Sequence, residues 1–479
     1  MYSKERIFAT LSLAAFTVFA LVLVAPSAIG ENAGKDKPPE TQADAAPGGA
    51  ESKPAENAGA ASLTVKVTPL DKNCVTSGSG PFLVASPDAR RWAAVLRGDD
   101  GKQYLSLDGK KFSERVPANP AMCLFSPDSK HFAYFMYDGN DLIVSVDGAE
   151  TLRAKWANMR EMYFDSAGRF IYVAWAMEDV GGTRMQREWV VIDGKPSAKY
   201  DRVWRPAFSP DAKHTAFIAR SKGKIFMVTD DAEGKPYDNI LTDAGARFTP
   251  NSKSVMFVAG PSGKERLVMG DTEFEQFNQL PVYSPDFTRA AYVGRFPDKA
   301  KIFIGADPTQ PAAGITFNYS NATDVVFSPD SQRYAFAARG KDGWVCVVDG
   351  KETAYLDVTD ARPPVFSPDS KRVSFVLTMR NGRQMAVTDA VKGNEYKPID
   401  SHVPADSPAS FTSPVFSPDS KHVAYTATTL DGKKMVVVDA CEVAVDAAVV
   451  SNLVFDSPAH LHAIGVSGDN VFLIEIDIK

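Results

Sequence analysis

From residue 63 to the end of the chain, short apolar runs recur between polar clusters, and within them side chains alternate as in strands rather than striping as in helices. Val423 and Tyr425 alternate with Ala424 and Thr426, while residues 345–348 and 436–438 are short β-branched runs. Such segments suit strands buried on one or both faces. The pattern therefore predicts an all-β chain built from many short strands.

The polar clusters are repeated in kind. Ser-Pro-Asp occurs at Ser86, Ser126, Ser209, Ser284, Ser328, Ser367 and Ser417, with a Thr249-Pro250-Asn251 variant and degenerate copies after Phe164 and Phe455. Proline presets φ for a turn, and Ser and Asp hydrogen-bond the turn's own backbone, so each core joins two strands. The preceding anchors are Ala85, Phe125, Phe164, Phe208, Phe248, Tyr283, Phe327, Phe366, Phe416 and Phe455, spaced by 35 to 50 residues. A second mark keeps step with the first at Asp108, Asp147, Asp193, Asp230, Asp271, Asp307, Asp349, Asp389, Asp439 and Asp477. Two marks in register over ten copies define a true repeat. About forty residues accommodate four short strands, and four-stranded sheets that bury faces against their neighbours make a propeller.

The Phe-Ser-Pro-Asp-Ser-Lys cores resemble the repeats of the TolB-like, or WD-repeat-like, bacterial β-propeller family over residues 63–479. That family usually carries Gly after the Asp, where this chain has Ser129, Ala212, Ser252, Phe287, Ser331, Ser370 and Ser420. The expectation is a β-propeller over residues 62–479 of about ten four-stranded repeats, most simply one closed ring, with two smaller rings or an open arc as alternatives. The last unit has room for three strands only. Residues 63–68 are expected to supply the fourth, which leaves no sheet edge bare.

Upstream of the repeats, residues 1–30 read as an export signal, with Lys4 and Arg6 before an apolar run at 7–24 and small residues at Ala28 and Gly30. If uncleaved, the same run is long enough to serve as a membrane anchor. No cysteine follows it, so a lipoprotein anchor is not supported. Residues 31–61 lack aromatic side chains and read as a disordered linker. The chain is thus expected to be exported, periplasmic or extracellular, and monomeric. A formal net charge of −6 without a long basic run argues against nucleic acid as a partner. Of four cysteines, Cys123 and Cys346 read as buried thiols, whereas Cys74 and Cys441 lie near the seam and are left as either thiols or a pair.

The recurrence of Asp beside Pro argues for turn-making over metal binding, and His131, His214 and His422 occupy one equivalent, solvent-facing strand position. No nucleophile elbow, His-Glu-x-x-His or Cys-x-x-Cys motif occurs, so no catalytic residue, metal ligand or cofactor is assigned. In a blade whose inner strand comes first, both repeated turns fall on one face of the disc. The opposite face carries the irregular connections, including the insertion at 177–187 and the extension at 400–411. Binding residues concentrate on variable segments held by a rigid scaffold. On that face Arg160, Arg205 and Arg362 precede their anchor aromatics, with Trp156 and Trp204 close by, and Arg beside an aromatic platform suits an anionic or peptide-like ligand. Pairing of these arginines with Glu161 and Asp201 is the structural alternative. The reading is an exported, non-catalytic scaffold for an envelope protein, peptide or other ligand; the alternative is a lactonase- or cyclase-like propeller enzyme with its site at the channel mouth.

Overall fold

The computed structural model describes residues 62–77, 80–117, 122–155, 157–165, 167–274, 279–296, 299–305, 315–397, 413–446, 448–449 and 451–479. The signal or anchor at 1–30, the linker at 31–61, Trp156 and the extension at 400–411 lie outside them. The described residues form ten four-stranded sheets joined in sequence order. Blade 1 spans 83–113, blade 2 123–155, blade 3 157–196, blade 4 202–237, blade 5 247–274, blade 6 282–319, blade 7 321–355, blade 8 358–392 and blade 9 415–444. Blade 10 takes 448–478 and the strand Leu63–Asp71.

Within a blade, hydrophobicity grades outward. Second and third strands are buried along most of their length, as in Tyr334–Arg339 and Trp344–Val348, whereas the outermost strand Lys351–Tyr355 is exposed up to its last residue. The innermost strands are short, and in blades 4, 7, 8 and 10 each is broken into two segments that pair with the same neighbour.

Both faces of every blade are covered by the blades beside it. Ten apolar clusters each draw their residues from two neighbouring blades, one cluster per interface, including that between blades 10 and 1. The blades therefore close into a single ring, and the alternatives of two rings or an open arc are set aside. Leu63–Asp71 runs antiparallel to Asn470–Ile478 from Leu63↔Ile478 to Asp71↔Val471, as expected of 63–68, and the strand extends three residues further. Cys74, whose backbone N–H reaches the Asp469 carbonyl at 2.8 Å, packs with Ala94, Leu96, Ile464 and Val471 to seal the seam. Cys74 is a free thiol, so the alternative pairing with Cys441 is not formed; Cys123 and Cys346 are buried thiols as expected.

The repeated turns are cross-blade connectors as well as reversals. In each Ser-Pro-Asp core the serine hydroxyl donates to the Asp Oδ1 at 2.5–2.7 Å. The residue after the Asp adopts left-handed φ, for example 60° at Ser129, 58° at Ala212 and 65° at Ser370. An L side chain there costs about 1–2 kcal/mol, whereas glycine takes this conformation at no such cost. Here the backbone N–H of the preceding blade's Asp donates to that serine's Oγ at 2.9–3.1 Å, as Asp88 to Ser129, Asp211 to Ser252, Asp286 to Ser331, Asp330 to Ser370 and Asp369 to Ser420. One net hydrogen bond contributes about 1 kcal/mol, enough to offset much of the strain. Ala89, Ala212 and Phe287 carry the strain without that bond.

The second-mark Asp completes the belt. Its Oδ1 accepts the N–H that opens the second strand, as Asp147 from Phe132 at 2.9 Å, and its Oδ2 takes an Arg or His. Arg333 donates to Asp349 at 2.7 Å, reaches the Ser370 and Lys371 carbonyls of the next blade, and lies 5.5 Å over Phe366. His131, His214 and His422 replace Arg at this step, with Nδ1 at 2.6–2.8 Å from Asp147, Asp230 and Asp439. They are thus anchored to a carboxylate rather than idle on the strand surface, and His131 and His214 stack on Phe164 and Phe248 of the following blade.

Two outcomes are expected. Ser370→Ala keeps the left-handed strain and loses the connector, so denaturant unfolding should show about 1 kcal/mol less stability, whereas Ala212→Gly should gain about 1 kcal/mol and Ser370→Gly change little. Equal effects of glycine at 212 and 370 would contradict this. Secondly, hydrogen bonds hold the Asp128, Asp286 and Asp419 carboxyls at about 2, the largest contributions coming from Ser126, the Thr288 backbone N–H and Ser417. Because an unfolded carboxyl titrates near ~4, the folded chain binds fewer protons between these values. Their stabilisation is complete above about pH 4 and lost as pH falls through about 2. Asn at all three positions should flatten the acid decline of urea-unfolding stability; an unchanged slope would remove these turns as its cause.

Candidate functional site

The face opposite the repeated turns is dominated by the second hairpin of blade 3. Phe170–Val180 and Thr183–Ile192 are eleven and ten residues long, against seven and six for the matching strands of blade 4. Pairing continues to Val180↔Thr183, where Gly181 and Gly182 turn the chain with φ of 63° and 81°. The insertion expected at 177–187 is therefore a paired hairpin that projects beyond the disc, and it exposes Met177, Val180 and Met185 near its tip.

Its base is tied to the chain entering blade 4. Arg187 pairs with Asp201, and Lys199 pairs with Glu178 while standing 4.8 Å over Trp189. Glu188, only 3% exposed, accepts hydrogen bonds from Gln186 Nε2 at 2.8 Å and the Val203 N–H at 3.0 Å. Both oxygens of Asp201 are engaged, the second by the Lys222 N–H at 2.7 Å. The arginine that neutralises Asp201 is thus Arg187 and not Arg205.

Beside this base the innermost strand of blade 4 breaks between Arg202–Val203 and Ala207–Phe208, and the break presents Trp204 and Arg205. Arg202 and Arg220 are cross-strand partners, and their guanidinium carbons lie 5.4 and 5.7 Å from the Trp204 ring. Arg205 stands 4.2 Å over Tyr163, whose hydroxyl donates to the Pro206 carbonyl at 2.6 Å. Burial pushes the Tyr163 hydroxyl pKa up, against the pull of Arg205, so the phenol stays neutral beside the cation. Arg202, Arg205 and Arg220 are exposed, and among the described residues none forms an ion pair. The result is three solvent-facing cations resting on two aromatic rings.

The other predicted residues stand apart. Arg362 occupies the matching break in blade 8, four blades round the ring from blade 4, between Val358–Ala361 and Val365–Phe366. Its backbone N–H bonds the Val376 carbonyl at 2.9 Å, the step taken in blade 4 by Trp204 to Ile218. Arg362 and Arg205 therefore differ by one residue in register. Burial lowers the pKa of the Arg362 guanidinium, with Asp360 opposing. Arg160 belongs to the innermost strand of blade 3, Ala157–Phe164. The residues that sequence reasoning missed are Arg202, Arg220 and Tyr163. Arg202 and Arg220 meet only through the strand register, and Tyr163 only through the contact between blades 3 and 4. Among the described residues no three His, Cys, Asp or Glu side chains converge as a metal-binding group.

No family model and no curated protein matches the chain. Among solved structures it is similar to TolB from Acinetobacter baumannii, at 13% identity over 74% of this chain and 80% of that one, with a TM-score of 0.25. It is also similar to the β-propeller domain of the Trilobed protease from Pyrococcus furiosus, at 15% identity over 60% and 98% of the two chains and a TM-score of 0.30. A crystal structure of a eukaryotic initiation factor shares 14% identity over 74% and 92%, with a TM-score of 0.43. The blade count and closure rest on the strand pairing and packing above, and no activity is carried over from these proteins.

Proposed function

We propose that this protein is an exported, non-catalytic scaffold of the cell envelope that holds an acidic segment of a partner protein against blades 3 and 4. The observation that carries this reading is the group of Arg202, Arg205 and Arg220, exposed on Trp204 and Tyr163 and without carboxylate partners among the described residues. Guanidinium forks pair with carboxylates in two-bond geometry, and aromatic support beneath them fixes their planes before a ligand arrives. The neighbouring hairpin adds Met177, Val180 and Met185, adaptable apolar contacts beside the charged patch. Export is read from residues 1–30, and the linker at 31–61 gives the ring reach from a membrane or a processing site.

Replacing Arg202, Arg205 and Arg220 together by Gln tests the site. Partner capture from envelope extract should fall at least tenfold and should also weaken with added salt in the wild type. Each exposed cation–aromatic contact contributes only about 0.5–1 kcal/mol, so the melting temperature should change little. Capture that survives the triple change, or a fold that does not, would reject the patch as a binding site.

A further inference from the structure

The projecting hairpin of blade 3 carries a length of strand edge that the ring does not use. At its base the outer edge of Thr183–Ile192 is covered by the chain's own residues, where Glu188 and Tyr200 exchange both backbone hydrogen bonds at 2.8 and 2.9 Å. Blade 8 makes the same exchange at the same repeat step, between Gln384 and Tyr396, and there Gln384 is the first residue of its strand. In blade 3 the strand begins five residues before that step, at Thr183. The covering chain does not follow it outward. It departs at Asp201, which Arg187 and the Lys222 N–H hold at the entry to blade 4.

Strand geometry fixes what that edge presents. The direction of backbone N–H and C=O groups repeats every two residues, so Gln186 and Arg184 point theirs outward as Glu188 does. Among the described residues no strand pairs with them on that side. The ladder behind them is unbroken from Ile171↔Ile192 to Val180↔Thr183, and the edge has neither the bulge nor the proline that commonly blunts an exposed strand. Side chains at these steps face blade 4: the Glu188 carboxylate accepts the Val203 N–H, and Gln186 reaches the same carboxylate at 2.8 Å. Arg202, the first of the three exposed arginines, stands between Asp201 and Val203. Charge is divided across the hairpin as well. Glu178 and Asp179 belong to the inner strand, where Lys199 and the Gly182 N–H engage them, whereas the outer strand carries Arg184 and Arg187 and no acid from Thr183 to Arg187.

We propose that the acidic partner segment binds in extended form, as a further antiparallel strand on the edge at Arg184 and Gln186, with acids at alternate positions turned toward the arginines on Trp204. Residues opposite Gln186 and Arg184 exchange backbone hydrogen bonds with them and carry their side chains on the same side, facing blade 4. Main-chain bonds then supply affinity and the arginines select side chains, as in strand addition to a sheet edge. The pairing of Glu188 with Tyr200 shows that this edge accepts an antiparallel neighbour. Strand addition here rests on the function proposed for the arginines, and it specifies the conformation and register of what they hold.

The probe is acetyl-Thr-Glu-Thr-Glu-Thr-Glu-Thr-amide, titrated into the full protein by calorimetry beside an analogue methylated on every Glu nitrogen, which keeps the charge and loses the N–H donors. The plain peptide should bind at least tenfold more tightly than the analogue. Arg184→Pro, which removes one outward N–H where an edge tolerates proline, should abolish that preference, and Arg184→Gln should keep it. Should the proline variant fail to fold, the two peptides on the unaltered protein still decide. Gln at Arg202, Arg205 and Arg220 together should weaken the plain peptide at least tenfold. Equal binding of the two peptides, lost in that triple variant, would overturn strand addition and leave the acid-binding patch standing. Binding of neither peptide would overturn both. A preference for the plain peptide that persists undiminished in the triple variant would overturn the placement of its acids on the arginines.

Discussion

A four-stranded sheet of this repeat is apolar on both faces, and among the described residues no helix or second layer covers a blade, so each is sandwiched between two others. In a linear stack the two terminal faces would remain bare. Closing ten blades into a ring removes both ends at once, and the whole architecture therefore hangs on the contact between blades 10 and 1. Blade 10, which makes that contact, is itself completed by the earliest described strand, since Leu63–Asp71 pairs with Asn470–Ile478 through a ladder of eight positions. Polar groups reinforce the contact: the buried His462 has Nδ1 2.7 Å from Asp456 and donates from Nε2 to the Asp88 carbonyl at 3.0 Å, across the seam.

Side chains that look like surface decoration do the remaining cross-blade work. The serine in the left-handed turn position is strained in its own blade and hydrogen-bonded to the preceding one, so turn geometry and blade spacing are specified together. The Arg or His at the start of the second strand joins its own blade's carboxylate to the next blade's carbonyls or aromatic ring. One face of the disc is consequently laced by polar ties between neighbouring blades. The other face, free of that duty, carries the irregular segments, and the projecting hairpin of blade 3 stands there beside Trp204 and Arg205.

Much of the fold was legible because the repeat writes the same turn ten times. Ser-Pro-Asp and the following Asp mark both reversals of a blade, and the shortage of one strand after Phe455 pointed to residues 63–68. What the pattern did not carry were relations between copies. Serine at 129, 252, 331, 370 and 420 read only as a departure from the repeats that the cores resemble, and the neighbouring blade's Asp N–H explains it. The breaks in the innermost strands shift register locally, which is why Arg205 and Arg362 looked equivalent and are not. Residues 177–187 looked like a loop because strand pairing that extends past the core has no apolar periodicity to announce it.

Closure of the ring by the strand Leu63–Asp71 is tested most directly by truncation. Chains beginning at Ser62 and at Lys72 differ only by that strand, whose loss would leave the edge of Asn470–Ile478 unpaired. Thermal melting with light scattering should show the shorter chain less stable and self-associating, while the longer one behaves as the full-length protein does. Identical melting and a monomeric state for both chains would contradict closure by this strand.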